Sequence, residues 1–160
     1  MIGAYEVVSW MGKTGFANLK HMNPGGVAAL DFGSVRCVTA IHSSSMPDGS
    51  YGGNPMGFVV DTKEGVFYFA GDTALTLDMQ LIPMLAPALD FAILPIGDNF
   101  TMGYKDAIIA SDFIQCNTVI GCHFDTFDAI KIDKEAALAA FQKEEKELIL
   151  MDIGETIEFE

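Results

Sequence analysis

Four polar residues stand just beyond short apolar runs, and their types are those that bind metals or move protons: His42, Asp72, Asp98 and His123. Asp72 follows Val66–Ala70 in Gly71-Asp72-Thr73, and Asp98 follows Phe91–Ile96 in Gly97-Asp98-Asn99. His42 closes the run Phe32–Ile41, and His123 follows Asn117–Gly121 through Cys122. Short apolar runs ended by glycine read as buried strands feeding tight turns. Open α/β sheets hold ligands just beyond the carboxyl ends of their strands. A His/Asp/His set converging from three such ends suits zinc, manganese or iron, for which neutral imidazole and carboxylate are ordinary ligands. Each signal alone is weak. A single histidine after a strand is more often a hydrogen-bonded loop residue, and Gly-Asp-Thr is more often only a turn. Spacing by itself gives an α/β domain with a candidate site at one rim of a sheet.

The elements that would position these residues follow from pattern. Ile2-Gly3-Ala4 reads as a strand end, with a helix over Tyr5–Met11 stopped near Gly12 or Gly15. Lys20–Gly26 reads as loop, marked by Asn23-Pro24-Gly25-Gly26. Phe32–Ile41 alternates as a strand, and the polar stretch Ser43–Asn54 opens after His42. Gly57–Asp61 and Val66–Ala70 form a hairpin about Thr62–Gly65. Leu75–Leu85 predicts a helix, Phe91–Ile96 a buried strand, and the segment around Ala107–Ile114 a second helix. Asn117–Gly121 is another strand, and Asp133 caps a third helix running to about Lys143. Glu147–Met151 and Glu155–Phe159 read as a closing hairpin around Gly154. Strands first, then alternating helices and strands, give an α/β architecture with a sheet covered by helices.

Length and composition restrict the partners. The chain has 160 residues, enough for one domain with a real core. No apolar run reaches the ~20 residues of a membrane span, so neither a membrane nor a secretory leader is expected. The net charge of −13 and the lack of any Lys/Arg cluster argue against nucleic acid. Three cysteines without CxxC spacing read as reduced core thiols of a cytoplasmic protein.

Three strings carry a resemblance. Ala70-Gly71-Asp72-Thr73, Leu94-Pro95-Ile96-Gly97-Asp98-Asn99-Phe100-Thr101-Met102-Gly103 and His123-Phe124-Asp125-Thr126-Phe127 are similar to the UPF0173 family of metal-dependent hydrolases. That family belongs to the metallo-β-lactamase superfamily, with relatives among the ascorbate-phosphate lactonase-like proteins. The resemblance implies the C-terminal portion of an αββα sandwich and a site for two divalent metals, zinc or manganese. It implies that His42, Asp72 and His123 are metal ligands, with Asp72 bridging both ions and orienting the attacking hydroxide. Thr73 and Asp98 would support and orient those ligands. The loop Ser43–Asn54 would line the entrance for a small-molecule substrate. Its three serines lack a Gly-x-Ser-x-Gly elbow and are not read as nucleophiles.

One motif that the resemblance implies has no match. The family's His-x-His-x-Asp-His string occurs nowhere in these residues, and the remaining histidine, His21, stands alone in Leu19-Lys20-His21-Met22. Two protein ligands per metal fall short of the three that a catalytic zinc usually has. Residues 1–160 are therefore expected to form one metallo-β-lactamase-like domain lacking the N-terminal segment that carries the motif, and to bind metal weakly or not at all. Two readings follow: a metal-dependent hydrolase once that segment is present, or a truncated, inactive homologue persisting as a folded or associating module. The open half of the sandwich would favour a homo-oligomer.

Overall fold

Strand β1 (Ile2–Ala4) runs directly into helix α1 (Tyr5–Gly12), whose Val8 is wholly buried. The computed structural model describes residues 1–159. The chain returns through β2 (Lys20–Met22), which pairs in parallel with β1, and then turns at Asn23–Gly26. Lys20–Met22 is thus strand rather than loop. Three residues are too few to show a period, and only the pairing to β1 makes them extended.

Strands β3 (Val27–Leu30), β4 (Gly33–Thr39), β5 (Met56–Thr62) and β6 (Val66–Phe69) form an antiparallel run. The sheet continues in parallel through β7 (Phe91–Pro95), β8 (Thr118–Cys122) and β9 (Glu147–Ile149). Among the described residues these seven strands are ordered β3-β4-β5-β6-β7-β8-β9, and β1-β2 stand apart as a small second layer.

Helix α2 (Ile82–Leu85) is one turn long and extends a 3₁₀ turn at Leu77–Leu81, in place of the continuous helix expected over Leu75–Leu85. Pro83 has no N–H to donate to Met79, so an unbroken α-helical ladder is impossible there. Helices α3 (Tyr104–Ile114) and α4 (Lys134–Lys143) follow the pattern, and the Asp133 side chain accepts from Ala136 N at 2.9 Å to cap α4. These helices cover one face of the sheet. Tyr68, Ala92, Leu94, Ile96 and Val119 pack there against Met79, Ile82, Ala107, Ala110, Ile114 and Phe141.

The expected closing hairpin does not form. Asp152–Glu155 makes a turn, but Glu155–Phe159 joins no strand. Phe159 instead stacks on Phe91 of the opposite sheet face, with ring centroids 4.4 Å apart. The alternation of Glu155–Phe159 is real, but its apolar side is satisfied by a ring stack instead of a strand partner.

Candidate metal centre

The carboxyl ends of β4, β6, β7 and β8 meet at one rim, and Thr73 ties them together. Its hydroxyl accepts from Ile41 N at 2.9 Å and donates to Ala74 O at 2.8 Å, with the residue fully buried. Ala74 N returns a bond to Ile41 O at 3.1 Å, and Met102 N donates to Thr73 O at 2.9 Å. One threonine thereby links the segment that carries His42, the turn that carries Asp72, and the Gly97–Gly103 loop.

That loop is closed on itself. Gly97 and Gly103 form a bridge, Asp98 N donates to Met102 O at 3.2 Å, and Met102 is buried as its anchor. Asp98 and Asn99 both adopt left-handed backbone, at φ 59° and 57°, a conformation that short polar side chains tolerate. The Asp98 carboxylate accepts from Asn99 N at 2.7 Å, and Asp98 borders a cavity with Tyr104, Lys131 and Asp133. It does not line the cavity that holds the other three candidates.

His42, Asp72 and His123 do share one, an open cleft of about 400 Å³ completed by Ile41, Ser43, Asn99, Phe100 and Phe127. His123 Nε2 lies 3.4 Å from Asp72 Oδ2. His123 sits at φ 55°, and its Nδ1 is buried without a hydrogen-bond partner. His42 Nδ1 lies 3.0 Å from Ser43 O. A carbonyl oxygen can only accept, so in the neutral ring Nδ1 carries the proton and Nε2 keeps its lone pair. This is the tautomer that a metal-binding imidazole requires. His42 and Asp72 also border a second cleft with Ile2, Ala4, Val7, Gly52 and Asn54, so the Ser43–Asn54 loop and the small β1–β2 layer flank the site. His21 lies on β2, its ring 4.9 Å from that of Tyr5.

Donor types fit a divalent cation, but the count does not close. Among the described residues no group of three or more His, Cys, Asp and Glu side chains is compact enough to hold a metal ion. The Cys122 thiol, next to the rim, is no substitute. Burial, and secondarily the Asp72 charge, push it up to about 11.

Two features of the rim are not legible in residue types alone. Asp125 belongs to the loop behind His123, where its carboxylate accepts from Ile132 N at 3.0 Å and pairs with Lys134 Nζ at 3.3 Å. Those interactions, the Ile132 bond foremost, hold it below the usual carboxylate range. The orphaned Glu6 Oε2, buried close to Gly53, had no sequence signal at all.

Comparison with known proteins bears on this rim. The sequence model of the Beta-lactamase superfamily domain matches residues 4–151. A UPF0173 metal-dependent hydrolase of Flavobacterium johnsoniae is 56% identical over 96% of this chain and 67% of its own length. Its counterpart in Christiangramia forsetii is 54% identical over 99% of this chain and 69% of its own length. The chain belongs to the UPF0173 family of metal-dependent hydrolases. Among solved structures, Igni18, a metallo hydrolase of Ignicoccus hospitalis, superposes with a TM-score of 0.82 at 27% identity. That match covers 99% of this chain and 68% of Igni18. The UPF0173 chain thus spans about two thirds of the relatives it matches, and its sheet is the metallo-β-lactamase-type sheet of the αββα sandwich. No helix among its described residues is long and apolar enough to cross a membrane.

Proposed function

We propose that this chain supplies part of a metal-dependent hydrolase site and, by itself, is a catalytically silent module of its family. The observation that carries this reading is the cleft in which His42, Asp72 and His123 converge without closing around an ion. His42 offers Nε2, His123 offers a ring nitrogen beside Asp72, and Asp72 offers a half-exposed carboxylate. Zinc or manganese held by these three and by further ligands would provide a hydroxide at neutral pH for attack on a small-molecule substrate. Thr73 fixes the spacing of the rim. Asp98 acts one step further back, through the shape of its own loop. The further ligands are those of a His-x-His-x-Asp-His segment that residues 1–160 do not contain, so these residues form one domain short of that segment. Three free cysteines fit a reducing, cytoplasmic setting.

The test is zinc and manganese titration of the purified chain by calorimetry, with metal content measured after gel filtration. The expected result is weak binding, lowered further by His42→Ala and His123→Ala and unchanged by His21→Ala. Two zinc ions retained through gel filtration by this chain alone would overturn the reading. So would an effect of His21→Ala equal to the other two.

A further inference from the structure

The candidate ligands His42, Asp72 and His123 are polar, but three of the five residues that complete their cleft are not. Ile41, Phe100 and Phe127 line it and stay 52%, 55% and 48% exposed. They arrive from three separate segments: the end of β4, the Gly97–Gly103 loop and the loop after β8. The rings of Phe100 and Phe127 lie 6.0 Å apart at a tilt of 44°, within the range of an interacting aromatic pair. Both loops are fixed by their own hydrogen bonds. Phe100 N donates to Asp98 O at 2.6 Å inside the bridged loop. Ile130 N donates to Phe127 O at 3.1 Å, and Asp125 N donates to Ile130 O at 2.9 Å. Left-handed residues precede both rings: Asp98 and Asn99 before Phe100, His123 and Asp125 before Phe127. Such backbone persists where its surroundings enforce it, and it concentrates at ligand clamps.

We propose that this cleft takes an uncharged acyl compound, an ester, thioester or lactone, that carries an aromatic or branched apolar group. The apolar group seats against Phe100, Phe127 and Ile41, and the carbonyl end faces His42 and Asp72. The proposal rests on the functional reading above, because the reacting end is placed at the three candidate ligands. Charge decides against an anionic compound. Of the nine Lys and Arg residues none lines this cleft, and none lines the neighbouring one that shares His42, Ser43 and Asp72. A phosphate or carboxylate would meet the Asp72 carboxylate and a net charge of −13 without a cation from these residues. The neighbouring cleft continues the apolar wall through Ile2, Val7, Met56 and Phe58. Ser43 and Asn99 are the neutral polar side chains of the cleft. A few such groups set in an apolar lining suit an uncharged carbonyl, which needs hydrogen bonds and no counter-ion.

The experiment titrates the purified chain, with a chelator present, against three unreactive probes followed by amide NMR. N-benzylacetamide is uncharged and carries a ring, N-methylacetamide keeps the amide without the ring, and benzyl phosphate keeps the ring with an anion. The expected result is that N-benzylacetamide binds about tenfold tighter than either of the others, with its largest shifts at Ile41, Phe100 and Phe127. Phe100→Ala and Phe127→Ala each weaken it about fivefold. Phe32→Ala, which removes an equally exposed ring from the β3–β4 turn, leaves it unchanged. Circular dichroism checks the fold of each variant, and the shift map of the unaltered chain decides the matter if an alanine unfolds it. Equal binding of the two amides overturns the proposal, as does tighter binding of benzyl phosphate or a shift map centred elsewhere. So does a dimer, seen by light scattering, that Phe127→Ala dissolves, since the rings would then be a contact between copies. Zinc titration of the same samples separates this proposal from the metal reading. A preference for N-benzylacetamide in a chain whose zinc affinity ignores His42→Ala upholds the apolar subsite and overturns the metal ligands. Zinc binding that His42→Ala weakens, without that preference, upholds the metal reading and overturns the substrate class.

Discussion

Thr73 has no room to change without consequence. Its hydroxyl is the acceptor for Ile41 N and a donor to Ala74 O, and the Thr73 side chain itself is fully buried. Thr73→Val keeps the shape and removes the partner of a part-buried N–H, which costs roughly 1 kcal/mol. Urea unfolding should show that loss, and Thr73→Ser, which keeps the hydroxyl, should recover most of it. If valine is as stable as threonine, the hydroxyl does not hold the rim together. Cys122 offers a second test at this scale. With its thiol pushed up to about 11, little thiolate exists near neutrality. Alkylation by iodoacetamide at pH 8 should run roughly a hundredfold slower than for a free cysteine. The sign follows from the causes. Burial is the larger, and Asp72 disfavours a second negative charge, so Asp72→Asn should lower the thiol's pKa and speed alkylation at fixed pH. Peptide mass spectrometry at Cys122, apart from the buried Cys37 and Cys116, reads this directly.

Among the elements, the ends of β7 and β8 approach so closely that Gly97 is the residue that permits it. A β-carbon there would lie 2.1 Å from His123 O, a backbone atom with nowhere to move. Gly97→Ala should therefore destabilise by roughly 1–3 kcal/mol and displace the residue that carries the imidazole. Gly3→Ala, whose added methyl meets Val8 at an ordinary 3.5 Å, is the control. Equal urea midpoints for the two would refute the close approach. The same elements mark how far sequence carries. β4 to β8, α3 and α4 were legible because each has a period and a stop: Val35 and Cys37 alternate, and Asp133 caps. The rim residues His42, Asp72 and His123 were legible as strand ends, and the structure draws them into one cleft. β2 and β3 were not read, since such short strands exist only through their partners. Glu155–Phe159 alternates like a strand, but no local signal reveals that Phe91 is a better partner than a neighbouring backbone. Asp98 looked equivalent to Asp72 because both follow Gly after an apolar run. The left-handed turn that bends its carboxylate back to Asn99 N depends on the Gly97–Gly103 bridge and is invisible residue by residue.

At the scale of the whole molecule, two opposed features meet: an aromatic sheet face open to water and a net charge of −13. The face favours association with any apolar surface, another copy included, while like charge keeps copies apart at neutral pH. The balance shifts as carboxylates protonate. Toward the sequence isoelectric point of about 4.4 repulsion vanishes while the apolar face is unchanged. Lowering the pH from 7 should therefore raise the mass seen by light scattering well before circular dichroism shows unfolding. Salt at neutral pH should act in the same direction by shortening the screening length, which is ~8 Å at physiological strength. Charge alone would predict the same, so the location must be tested separately. Phe69→Glu and Leu77→Glu add the same charge, one on the open face and one on the helical side. If the face is the contact, Phe69→Glu moves the onset of association to clearly lower pH and Leu77→Glu moves it only slightly. Equal shifts would mean that net charge governs the behaviour and that the aromatic face is not where copies meet.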